Sequence, residues 1–177
     1  MTAELWDLTD VDGTPTGVTH RRGDPVPPEA FHIVSSVCAI RGDGRILLTQ
    51  RAATKTYPME WEIPAGSALT GESSAQAAVR ELGEETGLAV TTEALEPVGR
   101  VIEANALVDV YVARVPDDAA VVPDPEEVAG SRWATLAELD ALVAAGGMAE
   151  PWIERLEQLR EPLGALVGAA AVQEAAS

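Results

Sequence analysis

The sequence predicts a mixed α/β or α+β sandwich built as one domain, and three observations lead there. Apolar, β-branched runs recur along the chain, as in His32–Ile40 (HIVSSVCAI), Arg45–Arg51 (RILLTQR) and Leu107–Val115 (LVDVYVARV). Between them lies one segment with helical periodicity and helix-ending signals, Ser74–Thr86. The chain has 177 residues, 46% of them hydrophobic, which suits a single core with no internal repeat and no long linker. Strands interleaved with a few helices indicate layered packing of a sheet against helices.

Taken in order, residues 1–30 are rich in turn formers and read as an N-terminal extension. Asp10-Val11-Asp12-Gly13 and Pro15 suggest a hairpin between Leu5–Leu8 and Gly17–Thr19. Pro25, Pro27 and Pro28 make a stiff connector. The His32–Ile40 strand turns at Gly42-Asp43-Gly44 into Arg45–Arg51. Residues 52–60 form a loop, and Trp61–Gly66 is a short extended piece closed by Pro64. After the central helix, strands are expected at Pro97–Ala104 and Leu107–Val115. An acidic loop follows at Pro116–Pro125, then a short strand at Ser131–Trp133 and helices at Leu136–Ala144 and Pro151–Arg160. Residues 161–177 form an Ala-rich tail, whose stretch Leu163–Ala175 offers a helix for interaction. Its longest apolar run is too short to span a bilayer and carries Glu174.

The charge balance excludes some functions. With 29 acidic against 12 basic residues the formal net charge is −17, which argues against a nucleic-acid polymer as partner, because such binding needs Lys and Arg to replace counterions on phosphates. A phosphate-bearing small molecule would need a divalent cation to offset both its own charge and the protein's. Cys38 is the single cysteine, so no intrachain disulfide forms. The N-terminus has no basic and apolar leader, and both features suit a cytoplasmic, membrane-free protein.

The central helix carries the chemistry. Ser73 and Gln76 fit a capping box, and Gly87 stands where a helix stops in a left-handed residue. Ala75, Ala78, Val79 and Leu82 recur at helical spacing and are expected to share the buried face. At about 100° per residue, Glu84 lies roughly −60° and Glu85 roughly +40° from Glu81, so three carboxylates fill one wedge beside that face. Like charges at these spacings destabilise a helix, and they stand in the half where the helix dipole disfavours them. Gly83 in the interior costs about 1 kcal/mol more. Local choices that oppose stability mark a functional site, and Mg²⁺, which prefers carboxylate oxygens, would relieve the crowding.

The segment Gly66-x5-Glu72-x7-Arg80-Glu81-Leu82-x-Glu84-Glu85-x-Gly87-Leu88 matches every specified position of the Nudix box, and the chain resembles a Nudix domain over roughly residues 30–160. The resemblance implies an α/β/α sandwich with a mixed β-sheet and the loop-helix of that box. It implies hydrolysis of the diphosphate bond in a nucleoside diphosphate linked to another moiety X, with Mg²⁺ or Mn²⁺ as cofactor. By that resemblance Glu81, Glu84 and Glu85 hold the metal, with the Gly66 carbonyl and Glu72 in support. Arg80 pairs with Glu72 or a neighbouring carboxylate. The general base is a box glutamate such as Glu81 or Glu84, or a glutamate on a distant loop, for which Glu103, Glu126 and especially Glu127 are candidates. Homodimers are common in the family.

Basic groups for the substrate's phosphates are expected in Arg51 and in Lys55, the single lysine; His20-Arg21-Arg22 is the densest basic cluster and folds over the site or balances nearby acids. Trp61 and Trp133 are expected mainly in the core. Leu5–Leu8, Thr19-His20-Arg21, His32, Leu47-Leu48 and Arg51 also resemble the branch related to isopentenyl diphosphate isomerase, which opens isomerisation of an allylic diphosphate as an alternative. His20 and His32 fall where that class places metal-binding histidines. The chain departs from it at the box: Ala65-Gly66-Ser67 stands where the isomerase needs a catalytic Cys and an adjacent metal-binding His, and Cys38 belongs to another strand. A non-catalytic nucleotide-binding module is a third reading, opposed by the intact trio Glu81, Glu84 and Glu85.

Overall fold

The computed structural model describes residues 4–175; the expectations for the extreme ends of the N-terminal extension and of the Ala-rich tail lie outside it. Among the described residues all nine strands join one mixed sheet, organised around β3 (Phe31–Ile40). This strand is fully buried from Ser35 to Ile40. Its β-branched and small residues fit a pleated surface covered on both faces. Along one edge it pairs in parallel with β8 (Ala106–Arg114), from His32↔Ala106 through Ile40↔Arg114. The other edge is shared by three antiparallel partners in succession. The β1 strand (Leu5–Thr9) meets Phe31 and His32, β6 (Ala65–Ser67) meets Val34–Ser36, and β4 (Ile46–Arg51) meets Ile40.

The alternation of side chains on β3 separates two cores. Val37 and Ala39 face one cluster with Leu47, Ala113 and the Ala78 and Leu82 side chains of α1 (Ser74–Thr86). Cys38 and Ile40 face the other, with Ile46, Leu48, Val110, Leu139 of α2 (Leu136–Ala144), and Trp152, Leu156, Leu159 and Leu163 of α3 (Glu150–Ala175). The result is an α/β/α sandwich. The sheet is completed by β2 (Pro15–Arg21) on β1, β7 (Leu95–Ile102) on β8, and β9 (Val128–Ala134) and β5 (Trp61–Glu62) on β4.

Four expectations change. Trp61–Gly66 is not one extended piece: Pro64 separates β5, which pairs with β4, from β6, which pairs with β3. The Pro64 carbonyl accepts from Val37 N at 3.2 Å, so the break also ties the loop to the sheet. The C-terminal helix does not stop at Arg160 but continues through Pro162. Proline removes one backbone bond there, and burial of Leu156, Leu159, Leu163 and Val167 at helical spacing offsets the loss. The buried face of α1 is Ala77, Ala78, Leu82, Glu85 and Thr86, with Ala75 and Val79 only half-buried. The acidic loop after β8 explains the rotation: Val122 N donates to Thr86 O at 2.8 Å and Asp124 N to Glu85 O at 3.2 Å, covering the helix's last turn. Finally, the deeply buried tryptophans are Trp152 and Trp6. Trp61 and Trp133 are half-buried, each covered by an arginine, Arg132 at 4.5 Å and Arg41 at 4.0 Å from the ring centroid. Among the described residues no helix is long and apolar enough to cross a membrane.

Candidate active site

The helix that carries the acidic wedge begins and ends as its local chemistry dictates. The Ser73 side chain accepts from Gln76 N while the Gln76 side chain accepts from Ser73 N at 2.8 Å, and Gly87 closes the helix at φ 71°. These caps set the register of Arg80, Glu81, Glu84 and Glu85 against the β6 loop.

Arg80 is the hub. Its Nε donates to Glu72 Oε1 at 2.8 Å and its Nη2 to Glu72 Oε2 at 2.9 Å and to the Ser67 carbonyl at 3.0 Å. Its Nη1 donates to Glu81 Oε1 at 2.8 Å and to Glu84 Oε2 at 3.0 Å. One planar guanidinium thus fastens the loop to the helix, a task a lysine's single ammonium cannot perform. The bidentate pair with Arg80 and the Leu69 N–H hold the Glu72 carboxyl below its usual range, and the same carboxylates, Glu72 first, raise Arg80 further. Gly66 is required by space. A Cβ there would lie 1.9 Å from Glu81 Cδ, so the backbone passes directly over that carboxylate.

Glu85 is the group with an unfinished environment. It is 7% exposed, and its Oε2 is buried without a hydrogen-bond partner. Burial raises its carboxyl well above the usual range, and the nearby Glu62, Glu81 and Glu127 raise it further. Burial also raises Glu81 and Glu62, against the pull of Arg80 and Arg51 respectively. Burial of a carboxylate without a compensating cation is costly. Among the described residues no three His, Cys, Asp or Glu side chains form a ready-made metal cage, because Arg80 draws Glu72, Glu81 and Glu84 towards itself. The donor set nevertheless fits a hard divalent cation: all oxygen and crowded, with Glu81 and Glu85 raised by burial and one carboxylate oxygen left orphaned.

These groups line a cleft of about 640 Å³. Gly66, Arg80, Glu81, Glu84, Glu85, Arg51, Lys55 and Glu127 all face it, whereas Glu72 sits behind Arg80. Arg51 is committed to Glu62, with both carboxylate oxygens at 2.7 Å from its Nη1. Lys55 forms an ion pair with Glu127. Of the distant candidate bases, Glu103 does not face the cleft. Arg155 holds both its oxygens, at 2.6 and 3.0 Å, because the β7 end places it against α3. Glu126 lies outside this cleft, in a shallower hollow. The basic cluster divides: Arg22 faces the cleft, while His20 Nε2 is bonded to the Asp24 carbonyl at 3.0 Å. His32 bonds the Asn105 carbonyl through Nδ1 and stacks on Trp6 at 4.1 Å, and neither histidine lines the cleft.

Sequence reasoning missed Glu62, Asp124, Glu4, Tyr57, Trp152 and Arg155, which also line the cleft. Glu62 alone left a signal, an acid inside a short buried strand between Trp61 and Ile63. The others come from separate elements that only tertiary packing brings together.

The chain is similar to known proteins in sequence and in fold. A family model described as NUDIX domain matches residues 30–156. An uncharacterized Nudix hydrolase of Listeria monocytogenes is 34% identical over 146 residues, covering 81% of this chain and 86% of that protein. A protein of Nocardia farcinica named isopentenyl-diphosphate Delta-isomerase is 34% identical over 176 residues, covering 91% of this chain and 95% of its own. A solved structure from Deinococcus radiodurans superposes with a TM-score of 0.74 at 22% identity, over 88% of this chain and 99% of that one.

Proposed function

The chain belongs to the Nudix hydrolase family, and from that premise we propose that it cleaves the diphosphate bond of a small nucleotide-type substrate, a nucleoside diphosphate linked to X, with Mg²⁺ or Mn²⁺ held by Glu81, Glu84, Glu85 and the Gly66 carbonyl. The observation that carries this reading is the orphaned, buried Oε2 of Glu85 beside Glu81 and Glu62 in the cleft. Solvating such an oxygen calls for a cation that the chain itself does not supply. A divalent ion bound there supplies charge neutralisation of the diphosphate and acidifies water. The protein's own groups do the rest. Arg80 fixes the orientation of Glu81 and Glu84 through one rigid guanidinium and, through Glu72, holds the loop that presents Gly66. Lys55, on the loop after β4, exchanges its ion pair with Glu127 for a phosphate oxygen, which frees that carboxylate. Glu127 faces the same cleft and accepts the proton of the attacking water as general base. The buried Trp152 gives the cleft an apolar lining. The same proposal has the enzyme working as a cytoplasmic homodimer.

The test is a substrate panel of nucleotide sugars, nucleoside triphosphates, dinucleoside polyphosphates and ADP-ribose, assayed with Mg²⁺ and Mn²⁺ for phosphate or nucleoside monophosphate. Silence across the panel, with folded protein, would remove the hydrolytic reading.

The name of the Nocardia relative favours one alternative, isomerisation of an allylic diphosphate. The site argues against it. Cys38 is fully buried in β3, in the core on the opposite face of the sheet from α1, with its thiol pushed up to about 12 by burial. His20 and His32 are engaged outside the cleft. Incubation with isopentenyl diphosphate, followed by NMR, separates the readings: an allylic isomer as product supports isomerisation, and isopentenyl diphosphate left unchanged by protein that turns over a nucleotide of the panel supports hydrolysis.

A further inference from the structure

Residues 4–22 precede the matched domain at 30–156, yet the two ends of this segment, Glu4 and Arg22, line its cleft. The hairpin of β1 and β2 is tied down from two sides. It joins the sheet at Leu8↔His32 and Thr9↔Phe31, and it grips the loop between β6 and α1: Thr70 N donates to Leu5 O at 2.9 Å and Gly71 N to Asp7 Oδ2 at 2.8 Å. That loop connects Gly66 to Glu72. At the hairpin's open end the Arg22 N–H donates to Glu4 O at 2.9 Å and Arg22 Nη1 to Glu4 Oε2 at 2.5 Å, and both side chains face the cleft.

The arginines of the cleft differ in how far they are committed. Arg80 is bonded to three carboxylates and a carbonyl, and Arg51 to both oxygens of Glu62 and the Thr56 carbonyl. Arg155 spends Nε and Nη2 on Glu103. Displacing any of them would strand a partly buried carboxylate, which is costly. Arg22 makes one side-chain contact through one nitrogen, and its side chain is 57% exposed. A pair of this kind is weak, whereas a guanidinium binds a phosphate through two parallel hydrogen bonds.

We propose that the appended hairpin is a working wall of the cleft and that Arg22 exchanges Glu4 for a phosphate oxygen of the substrate's diphosphate. The assignment rests on the diphosphate reading above. Glu4 then acts as a placeholder that keeps Arg22 turned towards the cleft while no substrate is bound.

The experiment measures binding of methylenediphosphonate, a non-hydrolysable diphosphate, by calorimetry in the presence of Mn²⁺, on the full-length chain. Arg22→Gln should weaken binding about tenfold at an unchanged unfolding temperature, because the group it removes makes one exposed contact. Glu4→Gln should leave binding unchanged or tighten it, since Arg22 no longer has a competitor. Binding by Arg22→Gln within twofold of wild type overturns the assignment. So does equal weakening in both variants, which would mean that the pair matters only as a structural clasp. Wild-type protein that turns over a diphosphate substrate while Arg22→Gln binds normally leaves the hydrolytic reading intact and removes Arg22 alone. Wild-type protein that neither binds the probe nor turns over the panel overturns both.

Discussion

The backbone of Gly66 lies so close over the carboxylate of Glu81 that a methyl group added at position 66 would stand 1.9 Å from Glu81 Cδ and 2.1 Å from Oε1. Two residues fifteen positions apart in the sequence are thus fitted to each other, one by having no side chain and the other by filling the space. Gly66 is not in a left-handed conformation, so space alone demands glycine.

Gly66→Ala should therefore act on the site rather than on the fold. Glu81 is a side chain and can swing aside, so the stability cost should stay within about 1–3 kcal/mol. Turnover should fall by roughly 10²-fold or more, because the displaced carboxylate no longer meets its partners. Parallel measurement of kcat/KM and thermal unfolding checks this, and wild-type turnover in the alanine variant would detach the contact from catalysis.

Glu84→Gln should separate chemistry from stability. Glu84 has a 60% exposed side chain, and its charged contact is Arg80, which keeps Glu72 and Glu81. Losing such an exposed pair costs under about 1 kcal/mol. Turnover should drop roughly 10²-fold. Mn²⁺ affinity, read by calorimetry, should fall with it. A variant with normal Mn²⁺ binding and activity would take Glu84 out of the proposed metal site.

The pH dependence of the metal-free protein has a definite sign. Glu85, Glu81 and Glu62 are all raised above the ordinary carboxylate value of 4.5, first by burial. The folded state therefore holds these protons to higher pH than the unfolded chain does. The stability this confers is present below pH 4.5 and is lost as pH rises through the folded values. Glu72, Glu93, Glu138 and Asp140 are lowered; from about pH 5.5 upward they are ionised in both states and add no further pH dependence. His32, lowered by burial, works the other way below 6.5. Comparison of wild type with Glu85→Gln cancels His32. In EDTA the glutamine variant should melt on the order of 3 °C higher than wild type at pH 7.5. The gap should close towards pH 5 in a thermal-melt series. A gap that widens on acidification would contradict the buried, uncompensated carboxylate.

Cys38 should be silent. With no exposure and a thiol raised to about 12, it should not react with a thiol reagent at pH 8 until the protein unfolds. Cys38→Ala should retain hydrolysis. Loss of all activity in that variant at unchanged stability would reopen the isomerase reading.

What was legible beforehand follows from how local each feature is. The capping box at Ser73 and Gln76, the left-handed stop at Gly87 and the strands around β3 and β8 are encoded within a few residues, and the structure places them within one or two positions of expectation. Helix rotation was harder to read. Glu85 is buried because a loop some forty residues later covers the last turn of α1, a contact no period within the helix reveals. The continuation of α3 past Pro162 was hidden for the same reason: the local rule for proline was outweighed by burial against a sheet assembled from elsewhere.

The sequence by itself determined the family and the acidic wedge, because a fixed spacing on one helix is a local geometric fact. It also determined the central strands, through their runs of apolar and β-branched residues. Only the tertiary structure decided which charges are spoken for: Arg51 by Glu62, Glu103 by Arg155, Lys55 by Glu127, and Glu72, Glu81 and Glu84 by Arg80. It alone brought Arg22 and Trp152, from opposite ends of the chain, to one cleft. Ion pairing and burial depend on distances of a few ångströms between elements far apart in sequence, and only the packing of the two cores on either side of β3 sets those distances.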